Sequence, residues 1–338
     1  MTRITFSDVS AASRRLEDVA VRTELHPCAW ASCQHRQLIL KPENLQVTGS
    51  FKLRGAYNRV AQLTAEERAR GVIAQSSGNH GRALAYAARR LGAAARVVVP
   101  ESAPDAKIDF IRQQGAEVIR VPAHECAQVA ADLASRHGYV LVPPFDDPQI
   151  IAGQGTVGLE IADEAAARGI EIDTVLVPVS GGGLISGVAT AIKHMSPNVR
   201  VIGVEPELAA DAQESLRRGQ RVTWPAEKVV RTIADGMRMT TVGVHPFEHM
   251  QELVDDIITV TEEEIESSVG ILFNHGDMTV EPSGAVTTAA YLYHQDEIPG
   301  NIHIAVISGG NISPVQSLDL RRIVPKDLNS CCIASLSI

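Results

Sequence analysis

Short runs of β-branched residues alternate along this chain with longer stretches in which alanine, leucine and isoleucine recur at helical spacing. GVIAQSS (71–77) leads into GRALAYAARRLG (81–92), then ARVVVP (95–100), DAKIDFIRQQG (105–115), AEVIRVP (116–122), HECAQVAADLASRHG (124–138) and YVLVPP (139–144). A second series follows the loop PPFDDPQ. It comprises a helix over 155–168, the strand DTVLVPV (173–179), a helix over 187–195, the strand VRVIGVEP (199–206) and a helix over 208–219. DIITV (256–260), a helix from Glu262 to His275, a helix over 283–295 and the strand IHIAVIS (302–308) complete it. Glycine stands near the ends of the helices of the first series, where a left-handed cap is wanted. Strand, helix, strand at this spacing predicts an α/β protein of two open parallel-sheet lobes, with helices on both faces and a cleft between them. Residues 231–246 carry no readable periodicity, and there is no internal repeat.

Composition narrows the classes. A chain of 338 residues suits two lobes of about 150 residues each. Hydrophobic residues at 45% and charged residues at 21% exclude global disorder. The net charge of −9, with no Lys/Arg run, argues against nucleic acid or an anionic membrane as partner. The first twenty residues lack the apolar core of a secretory signal and carry acids foreign to a transit peptide. No stretch approaches the ~20 apolar residues of a membrane span. Cys28, Cys33, Cys126, Cys331 and Cys332 are too few and scattered for a disulfide scaffold, and zinc spacings are missing. A reduced, cytoplasmic protein is expected.

Open parallel sheets bind ligands where strand ends meet helix N-termini. Four segments hold unusual residues at such places. SGGGLISG (180–187) follows the strand 173–179 and opens a helix; three successive glycines let backbone N–H groups approach an anion, so it reads as a phosphate cradle. It lacks the lysine of a P-loop, so a nucleoside triphosphate is not its natural ligand. SSGNHG (76–81) sets Ser76, Ser77, Asn79 and His80 at a helix start, more polar groups than a cap needs. TGSFKLRGA (48–56) contains Lys52; a lone lysine is usually solvated, but a buried one becomes a nucleophile toward carbonyls. ISGGN (307–311) places Ser308 at a strand end. GQGTVG (153–158) matches the dinucleotide fingerprint GxGxxG, but FDDPQ separates it from the preceding strand and no acid ends the following one. A nicotinamide dehydrogenase is therefore a poor rival reading.

Taken together, KPENLQVTGSFKLRGA, SSGNHG, IAGQGTVGLEI, VPVSGGGLISG, TIADG, EPSGA and SGGN resemble, in order from Lys41 to Asn311, the fold type II (β-family) pyridoxal-phosphate enzymes. The resemblance is closest to the serine/threonine dehydratase and serine racemase branch. It implies a tryptophan-synthase-β-like fold with the cofactor in the interdomain cleft. A large domain of 1–47 plus 148–325, a small domain of 48–147 and a tail over 326–338 are expected. It implies that Lys52 carries the cofactor as a Schiff base and that Ser180, Gly181, Gly182, Gly183 and Leu184 hold its phosphate. Asn79 would bond the phenolic oxygen, Ser308 would face the ring nitrogen and Phe51 would pack near the ring. Ser76, Asn79 and His80 would hold the substrate carboxylate. Ser77 would act from the face opposite Lys52, with a plain cap hydroxyl as its bland alternative.

The same resemblance implies a hard cation, Mg²⁺ or else Mn²⁺ or Ca²⁺, on Glu205, the carbonyl of Ala209 and Asp211. Acids at a helix N-terminus are the bland alternative there. Ser180 stands where glycine is more usual. HECAQ offers only His124 and Cys126 where some racemases place an arginine, and no long regulatory domain follows, so feedback control of that type is not expected. The activity implied is a lyase that takes a β-hydroxy amino acid of the serine, threonine or 3-hydroxyaspartate class to a 2-oxo acid and ammonia. An amino-acid racemase with dehydratase side activity is the alternative. A small-molecule substrate and a homodimer are the implied partners. A non-catalytic binding protein of the same fold is the remaining rival, disfavoured by intact Lys52, Asn79 and Ser308.

Overall fold

The computed structural model describes residues 3–312; the tail expected over 326–338, with Cys331 and Cys332, lies outside them. Ten strands form two sheets: β1 (His26–Pro27), β2 (Gln37–Pro42), β3 (Val72–Gln75), β4 (Ala95–Pro100), β5 (Glu117–Val121), β6 (Val140–Leu141), β7 (Thr174–Pro178), β8 (Arg200–Pro206), β9 (Asp256–Val260) and β10 (Ile302–Ile307). The first sheet has the order β1-β2-β10-β7-β8-β9 and the second β5-β4-β3-β6. Every pairing is parallel except that of β1, which runs antiparallel to β2 at the edge. All four strands of the smaller sheet come from residues 72–141.

Thirteen helices cover these sheets: α1 (Phe6–Leu16), α2 (Lys52–Ala61), α3 (Ala65–Arg70), α4 (Asn79–Leu91), α5 (Asp105–Gln113), α6 (Cys126–His137), α7 (Pro148–Arg168), α8 (Gly183–Met195), α9 (Asp211–Arg218), α10 (Ala226–Val229), α11 (Val244–Leu253), α12 (Glu262–Gly276) and α13 (Pro282–Tyr293). One face of the larger sheet meets α12 and α13 through Ile265, Leu272, Val286 and Ala289. Its other face meets α7 and α8 through Val157, Ile161, Val188 and Ile192. In the smaller sheet, Leu84, Ile108 and Val60 cover one face and the α6 residues Cys126 and Ala130 the other. The layers are those of a doubly covered α/β architecture. Among the described residues no helix is long and apolar enough to cross a membrane.

Where structure and expectation differ, local chemistry explains it. The helix expected from 155 begins at Pro148, because Asp147 caps it by accepting from the N–H groups of Gln149 and Ile150 at 2.7 and 3.2 Å. GQGTVG therefore lies within α7 and is no loop. Its glycines serve close packing: a Cβ at Gly155 would stand 2.9 Å from the carbonyl oxygen of Gly187, and one at Gly158 would stand 2.7 Å from that of Val188, both on α8. The strand expected over 139–144 shortens to Val140–Leu141, since two prolines follow. Helices α1, α2, α3, α10 and α11 and strands β1 and β2 escaped the pattern reading. In β2 a fully buried Lys41 interrupts the apolar run.

Candidate active site

Lys52 is the first residue of α2, and the chain enters that helix from a crossing with the larger sheet's last strand. Ser50 bridges to Gly309, and the N–H of Phe51 donates to the carbonyl of Ser308 at 3.1 Å. The TGSFK and SGGN segments are thus one piece of structure. The Lys52 ammonium donates to the carbonyl of Pro144 at 2.9 Å and lies 5.0 Å from the centre of the Phe51 ring. No carboxylate lies within ion-pair distance of it among the described residues, so burial acts unopposed and brings its pKa down to about 8. An amine so placed is neutral in about a tenth of molecules near neutral pH, far more often than an ordinary lysine, and is a competent nucleophile toward an aldehyde.

The residue after Pro144 links this amine to the glycine loop. A Cβ on Gly183 would stand 3.0 Å from Phe145, and one on Gly181 would strike its ring. Gly182 takes φ +87°, a left-handed conformation suited to glycine, and caps α8 without a side chain. The first N–H groups of α8 have no partner within the helix and point to its N-terminal end, where Leu184 is buried. The hydroxyl of Ser180 is shielded from solvent and has no hydrogen-bond partner among the described residues. Orphan donors at a helix N-terminus fit an anion such as phosphate.

Asn79 begins α4, and both ends of its amide are held. Its Nδ2 donates to Glu281 Oε1 and its Oδ1 accepts from Asn311 Nδ2, each at 2.6 Å. Ser308 is buried and donates to the carbonyl of Ser283 at 3.2 Å; the Ser283 hydroxyl accepts from the N–H of Gly236 at 3.0 Å. The EPSGA and TIADG segments thereby join SSGNHG and SGGN around one centre. Glu281 lies within the EPSGA segment, yet the sequence alone assigns it no role. Its signal was an acid directly before a Pro-initiated helix, which alone reads as a cap.

The remaining residues of the SSGNHG loop divide. Ser76 Oγ accepts from the N–H of Gly78 at 3.2 Å. Ser77 makes no hydrogen bond among the described residues, so the plain capping role is not what its hydroxyl does there; the cap position of α4 belongs to Gly78. His80 is buried, with Nε2 on the carbonyl of Val142 at 2.9 Å. Burial and the nearby Lys52 charge pull its pKa to about 3, so the ring is neutral and Nε2 carries the proton. What His80 has left to offer an anion is its backbone N–H in the first turn of α4.

Glu205 at the end of β8 and Asp211 at the start of α9 are both buried. Glu205 accepts from the N–H groups of Ala212 and Gln213 at 3.3 and 2.7 Å, while the Asp211 oxygens, near the N–H groups of Asp211 itself and Val242, make no well-formed hydrogen bond among the described residues. Burial, and for Glu205 the Asp211 carboxylate as well, raises both pKa values, that of Asp211 to about 7. Two buried acids with an orphaned pair of oxygens are a donor set that fits a hard cation. Among the described residues no group of three or more His, Cys, Asp or Glu is placed to hold a metal.

An amine with lowered pKa, an anion cradle and a rigid amide gathered at the ends of parallel strands define an α/β enzyme built for a carbonyl-bearing, phosphorylated cofactor. The chain belongs to the pyridoxal-phosphate dependent enzyme family, which matches residues 16–310. It is 43% identical over 330 residues to an L-threonine ammonia-lyase of Thermotoga maritima, covering 96% of this chain and 79% of that protein. It is 38% identical over 311 residues to an L-threo-3-hydroxyaspartate ammonia-lyase of Saccharomyces cerevisiae, covering 91% and 93%. Among solved structures, a serine racemase from Dictyostelium discoideum superposes with a TM-score of 0.84 at 37% identity, covering 92% of this chain and 99% of that one.

Proposed function

We propose that this protein is a pyridoxal-phosphate-dependent ammonia-lyase that converts a β-hydroxy amino acid of the serine, threonine or 3-hydroxyaspartate class to a 2-oxo acid and ammonia. The observation that carries the reading is the desolvated amine of Lys52 on the carbonyl of Pro144, one residue from the ring that packs on the glycine cradle. Relatives named for threonine and for threo-3-hydroxyaspartate support the substrate class.

In this reading the bound cofactor supplies an electron sink that acidifies the substrate's α-hydrogen. Lys52 holds the cofactor at rest and then moves the proton at the α-carbon as general base. The N–H groups of Gly181, Gly182, Gly183 and Leu184, with the Ser180 hydroxyl, hold the phosphate. Asn79 would bond the phenolic oxygen with its second amide hydrogen, Ser308 would face the ring nitrogen and Phe51 would pack beside the ring. Ser76 and the backbone N–H groups of Asn79 and His80, at the start of α4, would receive the substrate carboxylate. A divalent cation on Glu205, the Ala209 carbonyl and Asp211 belongs to the same reading, supported by the orphaned Asp211 oxygens. So do residues 48–147 as a small domain, supported by the smaller sheet's strands all falling within them. A homodimer rests on the family resemblance alone, and a cytoplasmic location on the cysteine usage and the composition of the amino-terminal segment.

The second reading, an amino-acid racemase, is favoured by one feature: the Ser77 hydroxyl, unengaged beside Ser76 and able to serve as a second proton donor. One experiment separates the two. A panel of serine, threonine and threo-3-hydroxyaspartate is scored for 2-oxo acid and for enantiomer, with borohydride trapping and peptide mapping of the cofactor. The lyase reading expects 2-oxo acid and a label on Lys52. Inversion outpacing 2-oxo acid release would establish the racemase with dehydratase side activity, and a label elsewhere would overturn the site.

A further inference from the structure

Helix α2 lacks a cap of its own. The residue before Lys52 is Phe51, in helical conformation and without a side-chain acceptor; its carbonyl accepts from the N–H of Arg54 at 3.0 Å, so the N–H of Gly55 needs a partner from elsewhere. One is supplied from α7: Gln154 Oε1 accepts from the N–H of Gly55 at 3.1 Å, and Gln154 is buried. Gly153 brings α7 close enough for this, since a Cβ there would stand 2.6 Å from the carbonyl oxygen of Arg54 and from Cα of Gly55.

The same turn is clamped by charge. Arg54 is fully buried and makes a fork to each of two buried acids: Nε and Nη2 to Glu43 at 2.7 and 2.8 Å, and Nη1 and Nη2 to Glu160 on α7 at 2.6 and 2.8 Å. Thr156, also on α7, accepts from Nη1 at 3.1 Å. Lys41 Nζ, buried in β2, completes the set on Glu160 at 2.5 Å. Two cations and two anions balance, which lets the cluster stay ionised inside the protein.

We infer that Gln154, Thr156 and Glu160 of α7 are positioning residues for Lys52: they supply the missing cap and the anchor of the helix turn from which its amine projects. The inference rests on the assignment of Lys52 above and gives GQGTVGLE, the segment that imitates a dinucleotide fingerprint, a task in the lysine's own chemistry. A misplacement of about 1 Å at a reacting group can cost about 100-fold in rate, so a frayed first turn is felt in turnover before it is felt in binding.

The test uses the holoenzyme and Gln154→Met, which keeps the volume and removes the acceptor. Borohydride labelling of the wild type is mapped first; a label away from Lys52 overturns the site assignment and this inference with it. With the label on Lys52, the variant is expected to lose about tenfold or more in kcat with KM within about twofold. Its Tm should fall by only about 2–4 °C, the loss of one cap, and the pH midpoint of the cofactor's visible band should move. Thr156→Val, which removes one acceptor from Arg54, should shift the same quantities less, and it carries the test if Gln154→Met does not fold. Wild-type kcat and a wild-type band titration in the folded variant would overturn the inference while leaving Lys52 in place.

Discussion

Asn79 and Glu281, 202 residues apart in the chain, meet at 2.6 Å, the amide nitrogen donating to the carboxylate. With Asn311 donating to the amide oxygen, this contact decides which way the Asn79 side chain faces and leaves one N–H hydrogen to spend. The carboxylate reaches that position because residue 309 is glycine; a Cβ there would collide with Glu281 Oε1.

Glu281→Ala should therefore loosen the cofactor by freeing Asn79, without touching the phosphate cradle. A hydrogen bond to a charged group contributes about 1.5–3 kcal/mol, so cofactor retention is expected to weaken about tenfold or more. Glu281→Gln keeps an acceptor and should weaken it less. Equilibrium dialysis of cofactor against each variant measures this, and equal retention in all three proteins would show that Asn79 is held without Glu281.

Much of this architecture is legible in the sequence, because parallel strands buried on both faces write continuous apolar runs, and glycines mark the ends of most first-series helices. What is not legible is set by partners distant in the chain. The start of α7 depends on Asp147, which reads as one more loop acid until its side chain is seen on Gln149 and Ile150. Strand β2 is obscured by Lys41, whose charge is neutralised by Glu160, 119 residues later. Glu281 has no local signature because its target is Asn79. All four segments singled out for chemistry carry glycines, but Gly49 and Gly55 say nothing of the residue between them: Lys52 carries only a residue type, and its burial is a tertiary property.

GQGTVG shows how a motif misleads when its context is helical. Gly158→Ala should strain the contact of α7 with α8, where the nearest atom is the backbone oxygen of Val188 and cannot move aside. Overpacking of this kind costs about 1–3 kcal/mol. Denaturant unfolding measures the loss, and titration of the wild type with a nicotinamide dinucleotide is expected to show no binding. A neutral substitution would mean that α7 and α8 separate more easily than their packing implies.

His294 gives the fold a pH dependence on the alkaline side. Its ring stands between Glu264 at 3.0 Å and Glu297 at 2.8 Å, joining the end of α13 to the start of α12. The hydrogen bond to Glu264, then that to Glu297, outweighs burial and raises its pKa to about 9. A folded pKa above the unfolded value means stabilisation that is complete below about 6.5 and lost as pH rises through about 9. Because the groups are partly solvated, the gain is about 1–2 kcal/mol. His294→Gln should remove this fall in Tm between pH 6.5 and 9.5 (roughly the titration window), and an unchanged profile would place the alkaline loss elsewhere.

The paired acids Glu205 and Asp211 permit a decisive test of the cation. A buried carboxylate with neither oxygen partnered is destabilising by about 1–3 kcal/mol unless it is protonated or bound to a positive charge. If a cation is its partner, Mg²⁺, Mn²⁺ or Ca²⁺ at about 100 times its dissociation constant should add about 2.7 kcal/mol of stability. Asp211→Asn removes one of the two charges, so it should raise Tm in chelator and abolish the increment on adding cation. Those two effects together cannot come from acids that merely face a helix dipole, since a dipole contact would be weakened by the substitution and would not respond to a divalent ion. A wild-type Tm indifferent to all three cations, with Asp211→Asn lowering stability, would mean that the pair is held by a shared proton instead.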